Sequence, residues 1–214
     1  MGKMYNSLLS GTSGRTGRVV VANVHGSEIS KVRPRGRSRV PSPKQLLIQK
    51  RLKQCIAFIN SYKAYACKHF GTRSGMRSCY NLAMMNLLDH FTINYALETI
   101  TPDYPALAFS RGNLLAPIPT RLTAPTASTL QLEWQNNSMG NAVRGTDLAQ
   151  IVLAAAGEEQ SFFIENAAQR SAESYAVALP LNLQGKTLHV WLAFRSDTGT
   201  DVSNSVYAGN VVVP

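Results

Sequence analysis

The chain has 214 residues, 44% of them apolar and 16% charged, enough for one or two domains with a real core and unlike an intrinsically disordered chain. Its net charge of +10 is unevenly held: residues 1–80 carry sixteen Lys/Arg against one acid, Glu28, and residues 81–214 carry six against eleven, so the two parts stand at +15 and −5. So basic a half points to a polyanionic partner, whether nucleic acid, an anionic membrane surface or an acidic protein face, and the opposed signs permit salt-sensitive head-to-tail contacts between copies.

The first thirty residues are small and glycine-rich, with Gly11, Gly14 and Gly17 at three-residue spacing. A phosphate loop does not fit, because no strand precedes these glycines and no Gly-Lys-Ser/Thr follows them. Backbone turns explain them more simply. Residues 18–24 read as a strand, 25–27 as a turn and 28–33 as a returning strand, which makes a hairpin.

Lys31, Arg33, Arg35, Arg37 and Arg39 follow at every second position. On an extended backbone alternate side chains share a face, so these cations line one edge. Pro34, Gly36 and Pro41 oppose helix here. The planar guanidinium fork suits phosphate or carboxylate. The same pattern also suits an exposed, solvated edge strand guarded against aggregation.

Ser42 is a good N-cap and Pro43 a good first helical residue. Leu46, Leu47, Leu52, Ile56, Ile59 and Tyr62 are expected to share one apolar stripe, with Gly71 as the stop. Lys50, Arg51 and Lys53 carry the basic surface onto this helix. A second helical stretch is expected from Ser78 to about Thr99, with a pause near residues 90–94 where β-branched residues cluster. The two pair as a helical hairpin joined by the basic link 69–77.

After residue 102 the texture changes to short strands. They are expected at 107–110, 130–134, 150–155, 161–165, 175–179, 187–194 and 205–213, separated by polar or glycine-bearing turns. Seven strands in about 110 residues, with Trp134 early among them, suggest an immunoglobulin-like or fibronectin-III-like sandwich. Leu188, Val190, Leu192 and Phe194 are its inward row, with His189 and Trp191 outward. The fold class is therefore α+β: a Gly/Arg-rich basic arm with a hairpin (1–41), a helical region (42–102) and an antiparallel β-sandwich (103–214).

Cys55, Cys67 and Cys79 are an odd set. The first two would lie about 18 Å apart along a helix, too far to bridge, so free and mostly buried thiols in a reducing compartment are expected. His69 and His90 match no metal-ligand spacing. No signal peptide and no run of ~20 apolar residues stands out, and a cytoplasmic or virion location is expected. Gly-x-Ser-x-Gly, His-Glu-x-x-His and calcium-loop patterns are absent. Glu158-Glu159, Asp147 and Ser110-Arg111-Gly112 read as turn and linker residues. Neither an enzyme nor a cofactor is expected.

Three stretches together carry a resemblance: the glycine-rich start at 14–19, the segment 32–51 with its Arg-rich run and helix start, and the pair Ser110-Arg111-Gly112-Asn113-Leu114 and Val202-Ser203-Asn204-Ser205-Val206-Tyr207. They resemble an uncharacterised family of small proteins frequent in Bacteroidota. The spacing Pro43, Gln45, Gln49, Arg51 departs from that family's helix start. The resemblance spans nearly the whole chain and implies no activity, cofactor or catalytic residue. Similar basic arm-plus-helix segments occur in phage and mobile-element structural proteins.

The expected function is thus a non-enzymatic structural or assembly protein, a homo-oligomer or part of a larger assembly. It would contact neighbouring subunits or an anionic partner through its basic arm, with Lys31, Arg33, Arg35, Arg37, Arg39, Lys50, Arg51 and Lys53 as the anion-binding residues. The alternative is a sequence-nonspecific nucleic-acid-binding protein. Few aromatics interleave the basic run, so base stacking is not evident, and no DNA-binding motif spacing occurs.

Overall fold

The computed structural model of the chain describes residues 2–6, 10–24, 26–33, 40–73, 75 and 77–214. The expected arm arginines Arg35, Arg37 and Arg39 lie outside the described residues.

The chain opens with four short strands, β1 (Gly2–Lys3), β2 (Gly14–Thr16), β3 (Val19–Val24) and β4 (Ser27–Val32), in the antiparallel order β1-β4-β3-β2. The expected hairpin is β3–β4, with two further strands added at its edges. Gly11, Gly14 and Gly17 all have positive φ, so the three-residue spacing serves turns. Glu28 ties the loop down, accepting from the Gly11 N–H at 2.6 Å and the Ser10 hydroxyl at 2.9 Å.

Helix α1 (Pro43–Ile59) starts as its sequence dictates. Ser42 and Gln45 form a reciprocal capping box and Pro43 occupies the first turn. The helix does not run unbroken to Gly71. A 3-10 turn, Asn60–Tyr62, separates it from α2 (Lys63–His69). The Ser161 hydroxyl donates to the Phe58 carbonyl, which would otherwise serve the helix ladder, and Ser61 meets Ser161. A side chain entering the ladder is an ordinary cause of such a break.

The expected apolar stripe is also corrected. Leu46, Leu52 and Ile56 are exposed, and the buried side chains are Cys55, Phe58, Ile59, Tyr62, Tyr65 and Ala66. Helix α3 (Cys79–His90), capped by Ser78, packs against α1 and α2 as the second arm of the helical hairpin. It ends nine residues before the expected Thr99. Residues 91–102 instead form the two-stranded hairpin β5 (Phe91–Asn94) and β6 (Thr99–Pro102). The Asn94 side chain accepts from the Ala96 and Leu97 N–H groups and Glu98 takes the left-handed conformation, which closes the turn. β-Branched Thr92 and Ile93 thus side with strand.

Strands β7 (Pro119–Thr126), β8 (Thr129–Trp134), β9 (Leu148–Ala155), β10 (Ser161–Ile164), β11 (Ser174–Ala178), β12 (Thr187–Arg195) and β13 (Val206–Val212) form two antiparallel sheets, with one turn of helix, α4 (Ala142–Gly145), before β9. Their orders are β10-β9-β12-β13 and β11-β8-β7. The expected strand at 107–110 is absent. Its place in the count belongs to β7, hidden in the sequence by Pro119 and Pro125. Both prolines are tolerated because β7 is an edge strand.

Between the sheets, Leu130, Leu132 and Trp134 meet Ile151, Leu153, Leu188, Val190, Leu192 and Phe194. The opposite face of the four-stranded sheet is covered too. Val152, Ala154, Trp191 and Ala193 share a second core with Phe58, Tyr62, Tyr65, Leu87 and Phe109. The outward Trp191 is therefore 2% exposed, beneath the helices. This explains why β9 and β12 read as nearly continuous apolar runs: they are buried on both faces. The result is three layers, sheet on sheet on helix.

Candidate functional site

The basic residues fall into three settings. Lys31 sits exposed in β4, and Arg33 follows it, its backbone N–H held by the Arg18 carbonyl at 2.8 Å. Lys50 and Lys53, three residues apart, share the exposed face of α1. Arg51 points the other way. It is half-buried, and its Nη1 donates to the Leu88 carbonyl at 3.5 Å, which ties α1 to α3. Arg51 therefore acts chiefly in helix packing. Arg35, Arg37 and Arg39 fall outside the described residues.

The two chain segments quoted for their family resemblance meet in space. The Ser110 hydroxyl donates to the Ser203 carbonyl at 2.9 Å, the Phe109 N–H donates to Ser205 Oγ at 3.0 Å, and the Gly112 N–H donates to Asn204 Oδ1 at 3.2 Å. Leu114 N–H reaches the Val202 carbonyl and Ser205 N–H reaches the Ser110 carbonyl. Gly112 is required by this approach: a Cβ there would lie 2.1 Å from the Val202 carbonyl oxygen. Ser110 is wholly buried and engaged, which fits an anchor and not a nucleophile.

Beside this seam lies a polar cleft of about 330 Å³, lined by Lys68, His69, Arg111, Asn113, Asp201 and Asn204. Burial holds the His69 imidazole below its ordinary pKa, helped by Arg195 and Lys68. Among the described residues no three His, Cys, Asp or Glu side chains gather as metal ligands. The three thiols are free, but only Cys55 is buried. Cys79 is partly buried and Cys67 is exposed, which corrects the expectation of mostly buried thiols. Burial pushes the Cys55 thiol up to about 11, so it stays protonated and inert.

Two buried polar groupings were not evident from sequence. Arg170 is fully buried in the sandwich. Its guanidinium donates to Asp147 at 2.9 Å, to the Leu115 carbonyl at 3.1 Å and to Asn137, and lies 4.0 Å over the Phe194 ring. The Trp134 indole N–H donates to the Arg170 carbonyl. On the other side of the sheet, the His189 ring stacks on Tyr104 at 3.7 Å, with Nδ1 2.7 Å from the Tyr207 hydroxyl. The only sequence signal for Arg170 is that it is a rare cation in an acidic half.

The fold is an α+β protein whose sandwich has a three-stranded and a four-stranded sheet, the arrangement of fibronectin type III domains. The chain belongs to a family of unknown function, DUF6266, whose model matches residues 11–209. Among solved structures it is similar to the fibronectin type III domain of human contactin 1, at 11% identity and a TM-score of 0.35 over 49% of this chain and 83% of that one. It is also similar to the fibronectin type III domain of human collagen alpha-1(XX), at 16% identity and a TM-score of 0.32 over 49% of this chain and 84% of that one. No curated protein matches it. No described helix is long and apolar enough to cross a membrane.

Proposed function

We propose that this is a non-enzymatic structural or assembly protein whose basic N-terminal half contacts an anionic surface on a neighbouring copy or a partner. The observation that supports this reading is charge left unanswered within the chain. Among the described residues, every Lys and Arg before residue 80 except Arg51 is exposed, and none forms an ion pair. Among the described residues the three ion pairs lie between residues 147 and 195. A surface of one sign attracts a partner of the other, with an affinity that falls as salt rises.

Nuclease-treated protein on heparin, and by light scattering after size exclusion at low and high salt, tests this. Retention on heparin together with salt-dispersed species is the expected result. A chain that flows through heparin at low salt overturns the proposal. Nucleic acid that copurifies before nuclease treatment, and rebinds with a steep salt slope, would replace it with sequence-nonspecific nucleic-acid binding.

A further inference from the structure

The end of the molecule formed by α1 and the β5–β6 hairpin exposes more apolar surface than its packing explains. No residue of α1 before Cys55 is buried. Lys44, Ile48, Leu52 and Ile56 fall at every fourth position and so form one row on the helix. Ile48, Leu52 and Ile56 are each more than 40% exposed. At its start the row abuts the hairpin turn, where the Lys44 ammonium lies 5.9 Å over the Tyr95 ring. Tyr95 is 52% and Leu97 71% exposed in that turn, although the Asn94 side chain holds the turn in a fixed shape. A row of apolar side chains running into an ordered apolar turn is a contiguous patch of the kind that marks an interface.

The patch carries both charge signs. Lys44 lies at the start of the row and Glu98 at the hairpin turn, both exposed, and neither is in an ion pair among the described residues. A two-fold axis places the same patch on both partners, so Lys44 of one copy can face Glu98 of the other, and the reverse. A polyanion would leave the apolar row uncovered and would be repelled by Glu98. A second copy satisfies both features.

We infer that two copies of this chain pair through the Ile48–Leu52–Ile56 row and the Tyr95–Leu97 turn, as a two-fold dimer held chiefly by apolar burial. This contact is separate from the salt-sensitive contacts of the basic half.

Light scattering after size exclusion in ~1 M NaCl tests it, because charge contacts then reach only about 3 Å. The expected species is a dimer of the 23.3 kDa chain. Leu97→Ser, in an exposed turn, and the double variant Ile48→Ser/Leu52→Ser, on the exposed helix face, should each weaken dimerisation about tenfold or more while circular dichroism stays unchanged. A monomer up to the solubility limit overturns the inference. So does a dimer that neither variant weakens, which would use another face, and so does an oligomer that appears only at low salt, which would belong to the basic half.

Discussion

The Arg170 guanidinium donates to the Asp147 carboxylate at 2.9 Å with both side chains out of water, 0% and 5% exposed. Taking two charges from water costs several kcal/mol, and the attraction repays this only with further hydrogen bonds. Arg170 has those from Leu115 and Asn137, and it lies over Phe194. Its neighbours come from residues 115, 137, 147 and 194, so the group fastens several strand connections to one point.

Removing one partner leaves the other charge buried. Asp147→Ala should therefore destabilise the fold by about 3–5 kcal/mol. Arg170→Met, which keeps volume but leaves the Asp147 carboxylate alone, should cost a similar amount. Replacing both residues with apolar ones should cost less than either single change. Urea denaturation of the four proteins checks this. Additive losses would mean that the pair is not coupled.

Gly112 offers a sharper test of the seam between residues 110–114 and 202–205. A methyl group there would meet the Val202 carbonyl oxygen at 2.1 Å, and backbone has little room to yield. Gly112→Ala should destabilise by about 1–3 kcal/mol, the range of overpacking in a close-packed site. Gly145→Ala is the control, since its φ, like that of Gly112, is not positive and a Cβ there meets only the Ser171 Cβ at 3.9 Å, an ordinary contact. Equal melting temperatures for Gly112→Ala and wild type would show that the seam opens freely.

The legible parts of this fold are those whose signal is local. Ser42, Pro43 and Gln45 specify a helix start by hydrogen bonds within four residues, and α1 begins there. Leu130, Leu132 and Trp134 alternate, and they point inward. The illegible parts depend on distant partners. The apolar side chains of α1 are spread around its axis, and contact with α3 and β5 decides which face is buried. β7 is visible only as an edge strand, because its prolines argue against any strand with two neighbours. The Arg170 side chain reaches residues up to 55 positions away in the sequence, and no spacing rule encodes it.

Stability should depend on pH through two buried imidazoles. Burial holds both His189 and His69 below the ordinary histidine range. In the unfolded chain each takes up a proton near pH 6.5, whereas in the folded chain each does so only at lower pH. Between those values the unfolded state binds more protons, so stability is full above about pH 6.5 and falls as pH drops below it. His189→Gln should reduce this loss. Denaturant midpoints from pH 8 to about pH 5, taken on wild type and variant, check it. A midpoint that rises on acidification would contradict neutral, buried rings.

The arm arginines provide the last test, one that separates folding from binding. Arg33 is exposed just beyond β4, outside both cores. Replacing Arg33, Arg35, Arg37 and Arg39 with Ser removes four guanidiniums from a half whose described Lys and Arg residues form no ion pair. The melting temperature should stay within a few degrees of wild type, as for most surface substitutions. Binding to a polyanion should be lost, and the salt dependence of any residual affinity should become shallower, since its slope counts the anionic contacts made. Thermal unfolding and heparin elution on the same samples distinguish the outcomes. A variant that binds as before makes the arm a bystander. One that fails to fold makes it a structural strand, and partner contact would then have to come from Lys50, Lys53 and the rest of the exposed helix surface.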